Sequence, residues 1–385
     1  MFKRLQKLKN RRNESAFLWG ARQTGKSTLL KTLFPRSPCY DFLLSDVYEK
    51  YSRRPSQLRA ELAETPPPKG TPVLIDEVQL VPDLLPEIQW MIVNLGISFI
   101  LSGSSPRKLK RAGANLLGGR ALRYEMFPLV WKEIPHFQLE RALTYGLLPR
   151  HYQLGASSPA MSAYVGDYLK EEIAAEARQR RIPTFSRFLE VAALTNGEAV
   201  NQTNIARECG ISVPTVAEYF DILVETLVGR IVPAYQARPK RRTVSAPRFY
   251  FFDVGLANYL LQRGDMTPRT EAFGKAFEHF LFQELKAHAH YSGLNYSVSY
   301  WRTTSQYEVD FVLGHHLAVE VKSTTEITNA HLRGLKAFGE EYPGINRLLV
   351  SRDPTPQRFE GVRAIPWTQF LEELWSGELT AQFPV

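Results

Sequence analysis

The sequence predicts an α/β protein built in three parts. Three observations carry that prediction. A Gly-x-x-x-x-Gly-Lys-Ser run lies near the N-terminus, a helix-turn-helix pattern followed by two strands occupies the middle, and an acid-bearing helix with acid-bearing strands lies near the C-terminus. At 385 residues the chain is too long for one ordinary core. Domains are expected over 1–140, 141–260 and 261–385, with the Gly and Pro of "TYGLLPRHY" (144–152) marking the first boundary. Hydrophobic residues make up 44% and charged residues 23%, the balance of a soluble globular protein. No run of eighteen apolar residues exists, so no membrane span is expected. The start, "MFKRLQKLKNRR", is basic but lacks the apolar core of a signal peptide. Cys39 and Cys209 lie too far apart for metal-ligand spacing, which fits a reduced cytoplasm. A net charge of +9 favours an anionic partner, with DNA first; the alternative is a merely basic protein.

In the first part, residues 16–19, "AFLW", read as a short buried strand, and "STLLKTLF" after Lys26 has helical apolar spacing. The glycine-rich turn therefore sits between strand and helix, as a P-loop must. Gly20 and Gly25 let the backbone curl so that its N–H groups face phosphates. The ATP cradle is read as Gly20, Ala21, Arg22, Gln23, Thr24, Gly25, Lys26, Ser27 and Thr28. Lys26 reaches the β/γ-phosphates and Ser27 ligates Mg²⁺. "TPVLIDEVQ" is an apolar strand ending in Asp76-Glu77, at the crevice where nucleotides bind. Asp76 holds the Mg²⁺ shell and Glu77 polarises the attacking water; the bland alternative is a solvated loop acid. A third strand, "ISFILSGSS", ends in Ser102 and Ser104, either of which can meet the γ-phosphate or the lytic water. Beyond it lie Arg107 and Arg120, both candidates for an arginine that reaches a neighbouring subunit, and spacing does not separate them.

In the middle part, "MSAYVGDYLKEEIAAEARQRRI" has helical spacing and strong helix formers. "NQTNIARECGISVPTVAEYFDILVE" has the layout of helix-turn-helix, with Cys209-Gly210-Ile211 as the turn and Ser212 as an N-cap. Two strands around a basic loop follow, which completes a winged helix. Arg238, Lys240, Arg241, Arg242 and Arg248 charge the wing, and the first four are the DNA-contact candidates, joined by the arm from Lys3 to Arg12. The second helix begins with Val213-Pro214, carries Glu218 and Asp221, and lacks Arg, Asn or Gln, so backbone contact is favoured over base reading. The alternative is a domain that only packs between its neighbours.

In the third part, "FGKAFEHFLFQELKAH" (273–288) is an amphipathic helix carrying Glu278. Two strands follow, one with Asp310 and one with Glu320-Val321-Lys322. A strand period of two sets Glu320 and Lys322 on one face. Asp310 and Glu320 can then share a divalent ion, with Lys322 beside the attacking water or scissile phosphate and Glu278 completing the cluster. The bland alternative is a cross-strand ion pair.

Taken together, "GARQTGKST", "VLIDEVQ", "LSGSS" and "LLGGR…FPL" resemble a prokaryotic family of AAA-type ATPases. Proteins of that family carry a winged-helix region and a C-terminal PD-(D/E)xK nuclease-like domain of unassigned function. The resemblance implies an αβα ATPase core over about residues 1–135. The C-terminal pattern, Asp310 then Glu320-x-Lys322, resembles the PD-(D/E)xK, or restriction-endonuclease-like, core, although Val309 rather than Pro precedes Asp310. The family's Gly-Arg falls on Gly119-Arg120, which implies Arg120 as the trans-acting arginine and a homo-oligomer, with a six-membered ring common in the wider class. The expected function is ATP-driven processing of branched or single-stranded DNA, with Mg²⁺ at the ATPase and Mg²⁺ or Mn²⁺ at the nuclease-like site. The rival readings are a nucleotide-controlled signalling or defence switch and a DNA-binding module that does not cut.

Overall fold

The computed structural model describes residues 2–8, 14–107, 109, 117–155, 160–173, 182–237, 241 and 243–383, with backbone alone at 167, 170–173 and 182. It divides into two compact units. One comprises Lys3–Pro128 with Glu225–Leu227; the other comprises Met1–Phe2, Leu129–Val224 and Val228–Val385.

The first unit is built on a parallel sheet of Ser15–Trp19 (β1), Cys39–Asp41 (β2), Val73–Asp76 (β3), Phe99–Gly103 (β4) and Ala121–Glu125 (β5), in the order β2-β3-β4-β1-β5. β1, β3 and β4 are buried throughout, as their unbroken apolar runs require of strands covered on both faces. Alternation along β1 sends Phe17 and Trp19 to one face and Leu18 to the other. The first face is covered by Leu58 and Leu62 of the helix Ser56–Glu64 and by Leu84, Leu85, Ile88 and Met91 of the helix Leu84–Asn94. The second face is covered by Leu29 and Leu30 of α1 (Lys26–Leu33). Parallel strands carry their C-terminal ends at one edge. The end of β1, the acids of β3 and the serines of β4 therefore gather there.

In the second unit, helix continues through Ala160–Ala163 and then winds as a π-helix over Tyr164–Ile173; the rest of that predicted helix up to residue 181 lies outside the described residues. Ile182–Leu194, Gln202–Cys209 and Val213–Glu225 are helices. Asn201 caps the second of these and Gly210, in the left-handed region, ends it. The Ser212 hydroxyl accepts from the Thr215 N–H at 3.3 Å. Gly229–Val232 (β6) and Arg248–Phe251 (β7) pair antiparallel. A 21-residue helix, Glu271–Tyr291, then packs on a six-stranded sheet. Its strands are Val298–Arg302 (β8), Glu308–Leu313 (β9), Leu317–Lys322 (β10), Asn346–Ser351 (β11), Gln357–Phe359 (β12) and Val362–Pro366 (β13), in the order β12-β13-β11-β10-β9-β8. β8, β9 and β10 form an antiparallel meander, whereas β10, β11 and β13 run parallel. The long helix covers one face through Phe277, Phe280 and Leu281, and Leu335 and Phe338 of Arg333–Glu341 cover the other. Among the described residues no helix is long and apolar enough to cross a membrane.

Candidate active sites

At the end of β1 the chain turns through residues 20–25 into α1. A Cβ on Gly20 would stand 2.6 Å from the Met126 carbonyl oxygen, and Gly25 has φ +95°, so both positions exclude other side chains at low strain. The loop wraps the Lys26 ammonium, which donates to the carbonyl oxygens of Gly20 (2.8 Å) and Ala21 (3.2 Å). Burial lowers the Lys26 pKa, and the charges of Glu77 and Asp76 oppose that shift. The Thr24 hydroxyl donates to the Ala21 carbonyl at 2.8 Å, closing the loop. Gln23 also takes a positive φ, 63°, which a side-chain-bearing residue adopts only when its surroundings hold it there.

The acids lie across the sheet edge. The Ser102 hydroxyl donates to Asp76, so the strand between β1 and β3 orients that carboxylate. Glu77 sits at φ +57°, a strained setting of the kind that clusters at functional positions. Its carboxylate accepts from the Gln79 side-chain amide, which also reaches the Ser104 hydroxyl at 3.2 Å. Gln79 is 4% exposed and fits only because Gly103 lacks a Cβ, which would stand 2.3 Å from Oε1. Sequence reasoning gave Gln79 no role, because its link to Ser104 spans 25 positions. Arg107 is buried and pairs with Glu225 within the same unit, which commits the competitor of Arg120. Arg120 is exposed after the turn Leu117–Gly119.

Arg4 was expected in a DNA-binding arm. Instead its guanidinium donates to the carbonyl oxygens of Thr24 (2.6 Å), Phe127 (2.7 Å) and Pro128 (3.0 Å), bracing the loop that holds Lys26. A fork of planar donors suits several carbonyls at once, so the side chain serves the loop. Lys9, Arg11 and Arg12 lie outside the described residues.

The second constellation is in the other unit. Glu278 lies on the long helix, Asp310 on β9, and Glu320 and Lys322 on β10. The Lys322 ammonium pairs with Glu320 at 2.5 Å, and Asp310 Oδ2 accepts the Val321 N–H at 2.8 Å. Arg248 corrects the sequence reading. It does not charge an exposed wing but is 3% exposed inside this cluster. It pairs with Glu308, lies 3.5 Å from Glu278 and 3.9 Å from Asp310, and stacks 4.4 Å over the Tyr300 ring. The Tyr250 hydroxyl donates to Glu278 at 2.5 Å. Burial, and next the Asp310 charge, push the Glu278 carboxyl up to about 7, against the pull of Arg248. Burial raises Asp310 as well, opposed by Lys322 and Arg248. Burial and Asp310 raise Glu320 further. Burial works to lower Lys322, but Glu320 and Asp310 outweigh it and hold the ammonium above its ordinary range. Among the described residues no group of three or more His, Cys, Asp or Glu side chains is arranged to hold a metal ion. The expected divalent ion thus meets a cluster already furnished with cations.

A cleft of about 760 Å³ opens beside Glu278 and Lys322, bordered by Arg269, Lys275, Thr324 and Arg352. Of the four wing candidates, Arg238, Lys240 and Arg242 lie outside the described residues. Arg241 donates to the Ala337 carbonyl at 2.9 Å and pairs with Glu340 and Glu341. Its guanidinium is thus shared with two carboxylates, which its reading as a DNA-contact candidate did not include.

Residues 12–135 match the model of an AAA domain. The N-terminal unit is an AAA-type P-loop ATPase domain. Residues 136–267 and 273–370 match two domains of unknown function, DUF8612 and DUF4143. Among solved structures the chain is similar to the Aeropyrum pernix ORC1 protein in complex with DNA, at 15% identity over 65% of this chain and 86% of that one. The TM-score of 0.23 is too low to carry fold or function across. No curated protein matches.

An AAA domain implies nucleotide binding with Mg²⁺, and the residues of this one fit both. The two glycines keep the phosphate-facing turn free of side chains, Lys26 is held within it, and Asp76 is oriented by Ser102. Ser27, the second residue of α1, and Asp76 are the oxygen donors in the AAA domain that would hold the ion.

Proposed function

We propose that this protein hydrolyses ATP in its N-terminal domain and binds DNA through the rest of the chain. The observation that carries the first half is the ordered chain of Glu77, Gln79 and Ser104 at the sheet edge beside the buried Lys26. In this reading residues 20–28 hold ATP and Lys26 contacts the β/γ-phosphates; Ser27 and Asp76 would hold Mg²⁺, which would supply neutralisation of phosphate charge. Glu77 orients and polarises the attacking water, and the Gln79 amide fixes the Glu77 carboxylate. Ser104 contacts the γ-phosphate or the water. Arg120, exposed beyond Gly119, serves a neighbouring subunit in a homo-oligomer, with a six-membered ring the natural closure.

Residues 141–260 are read as a winged-helix domain. The helix pair about Gly210, followed by β6 and β7, supports this. Its DNA contacts are Arg238, Lys240 and Arg242, by phosphate rather than base. Residues 261–385 are read as a restriction-endonuclease-like domain. The helix with Glu278, β9 with Asp310 and β10 with Glu320 and Lys322 support it. The Arg248 pairing favours a second reading for this last domain, in which it grips DNA through Lys322 and its cleft without cutting.

ATP turnover measured with single-stranded, duplex and branched DNA tests the proposal. Turnover rises with DNA, and Glu77→Gln lowers it about 10²–10³-fold while ATP binding persists. Mixing Arg120→Ala with Lys26→Ala subunits restores part of the activity, because mixed interfaces pair an intact loop with an intact arginine. Parental turnover in Glu77→Gln would displace the assignment. Slow turnover indifferent to every DNA would favour a nucleotide-controlled switch. The same reactions on gels with Mg²⁺ or Mn²⁺ report any cleavage.

A further inference from the structure

We propose that Arg248 is the built-in cation of the C-terminal carboxylate cluster, and that in this arrangement the cluster takes no Mg²⁺ or Mn²⁺. The inference deepens the reading of that domain as a nuclease-like fold that grips DNA without cutting.

Four carboxylates converge here: Glu278, Glu308, Asp310 and Glu320. They face Arg248, Lys322 and, at 3.4 Å from Glu308, Arg302. Asp310 and Glu320 offer four oxygens to an ion. Asp310 Oδ2 already accepts a backbone N–H, Asp310 Oδ1 faces the guanidinium, and the Glu320 Oε1 lies against the Lys322 ammonium. Only Glu320 Oε2 is buried without a partner. A divalent ion bound there would bring two further positive charges beside a guanidinium that is itself out of water, and like charges at that range repel strongly. Mg²⁺ also keeps several of its waters, whereas Asp310 and Glu320 are each 5% exposed.

Arg248 is not a side chain that swings freely into the space. It begins β7, where it pairs with Val232, and its backbone also bridges to Ala199. The Tyr300 ring lies beneath the guanidinium, and the Tyr300 hydroxyl donates to the Ala246 carbonyl two positions earlier. The cation and its acids come from segments that match different family models: Arg248 from 136–267, the carboxylates from 273–370. The carboxylate motif by itself therefore gives no sign of the charge that balances it.

Mn²⁺ binding to the nucleotide-free full chain, read from loss of the free-ion electron paramagnetic resonance signal, tests this without DNA or ATP turnover. Its outcome is independent of whether the protein binds DNA. The wild-type and Asp310→Asn isotherms are expected to superimpose. Arg248→Met is expected to gain one site per chain of submillimolar affinity, and the Arg248→Met/Asp310→Asn double variant to lose it. Arg248→Lys retains the charge and gains none. A wild-type site that disappears in Asp310→Asn overturns the proposal. So does an Arg248→Met protein with a native circular dichroism spectrum and no gained site. Should Arg248→Met fail to fold, the wild-type and Asp310→Asn comparison still decides, since it leaves Arg248 in place.

Discussion

The P-loop and the C-terminal cluster both bury charge at strand ends, but they balance it in different ways. At the P-loop one ammonium is held on two backbone carbonyls, inside a turn kept clear by glycines, with strain stored at Gln23 and Glu77. At the cluster the carboxylates are answered by Arg248 and Lys322 from within the chain. The first arrangement holds its cation on neutral carbonyls, with Glu77 and Asp76 acting on it through charge alone. The second finds its counter-ions within the chain, although Arg248 Nε, Arg248 Nη1 and Glu320 Oε2 are buried without a hydrogen-bond partner. Motif spacing does not separate the two cases; the identity of each charge's partner does.

The sharpest way to break this comparison is to remove the cation from each site. Arg248→Ala leaves Glu308, Glu278 and Asp310 without their counter-ion in a buried setting and is expected to destabilise its unit by about 3–5 kcal/mol. Lys26→Ala removes an ammonium that burial already disfavours and is expected to shift stability by about 1 kcal/mol or less, while abolishing ATP binding. Thermal unfolding of both variants checks this. Equal shifts would mean that the cluster does not depend on Arg248.

What was legible in the sequence was local. The glycine-lysine-serine turn, the acids ending an apolar strand, and the two-residue spacing that puts Glu320 beside Lys322 all act over a few positions. What was not legible depended on distant partners. Arg248 looks like wing charge in "SAPRFYFFD", but its pairing with Glu308 spans 60 positions. Arg4 looks like part of a basic arm, yet it braces a loop twenty positions away. Gln79 is visible in "DEVQ", and only the approach of β4, with Gly103 making room, gives it work. Charge counts treat every cation as solvent-facing, whereas packing decides which ones are already matched.

Proton binding sharpens the comparison next, because the unit holding the cluster carries carboxyls that burial raises: Glu278 to about 7, Glu284 to about 8 and Asp253 to about 6. Glu284 is the clearest, since it accepts from the Trp131 N–H and the Trp375 indole and has Glu133 rather than a cation as its charged neighbour. A carboxyl whose folded pKa is raised binds more protons folded than unfolded. Its contribution is present in full below about pH 4.5 and is lost as pH rises through about 8. Glu284 should therefore lower the melting temperature of the unit progressively from pH 5 to pH 8, with a limiting slope of about 1.4 kcal/mol per pH unit for one proton, while His151, His279, His288 and His290, which burial lowers to about 4, act in the opposite sense below about pH 6.5. Glu284→Gln should flatten that slope. An unchanged slope would place the titration elsewhere, with Glu278 the next candidate.

The smallest expected effect extends the comparison to DNA binding, where the same question of matched and unmatched cations arises within one basic run. Arg241 is paired with Glu340 and Glu341 and held on the Ala337 carbonyl. A phosphate would have to displace two carboxylates to reach it, and the free energy gained by exchanging one anion for another is small. Neutralising Arg241 should therefore leave the slope of log K against log salt unchanged and lower stability by no more than about 1 kcal/mol, the range of a partly exposed pair. In the proposed reading Arg238, Lys240 and Arg242 would be the remaining phosphate contacts of the wing, and each contact on duplex DNA contributes about −0.9 to that slope. Replacing these three together should flatten it by up to about 2.7 units. Fluorescence anisotropy on one duplex across a salt series measures both variants. A flattened slope in Arg241→Ala alone would show that its carboxylate partners give way to DNA, and the distinction between matched and available cations would not hold on this surface.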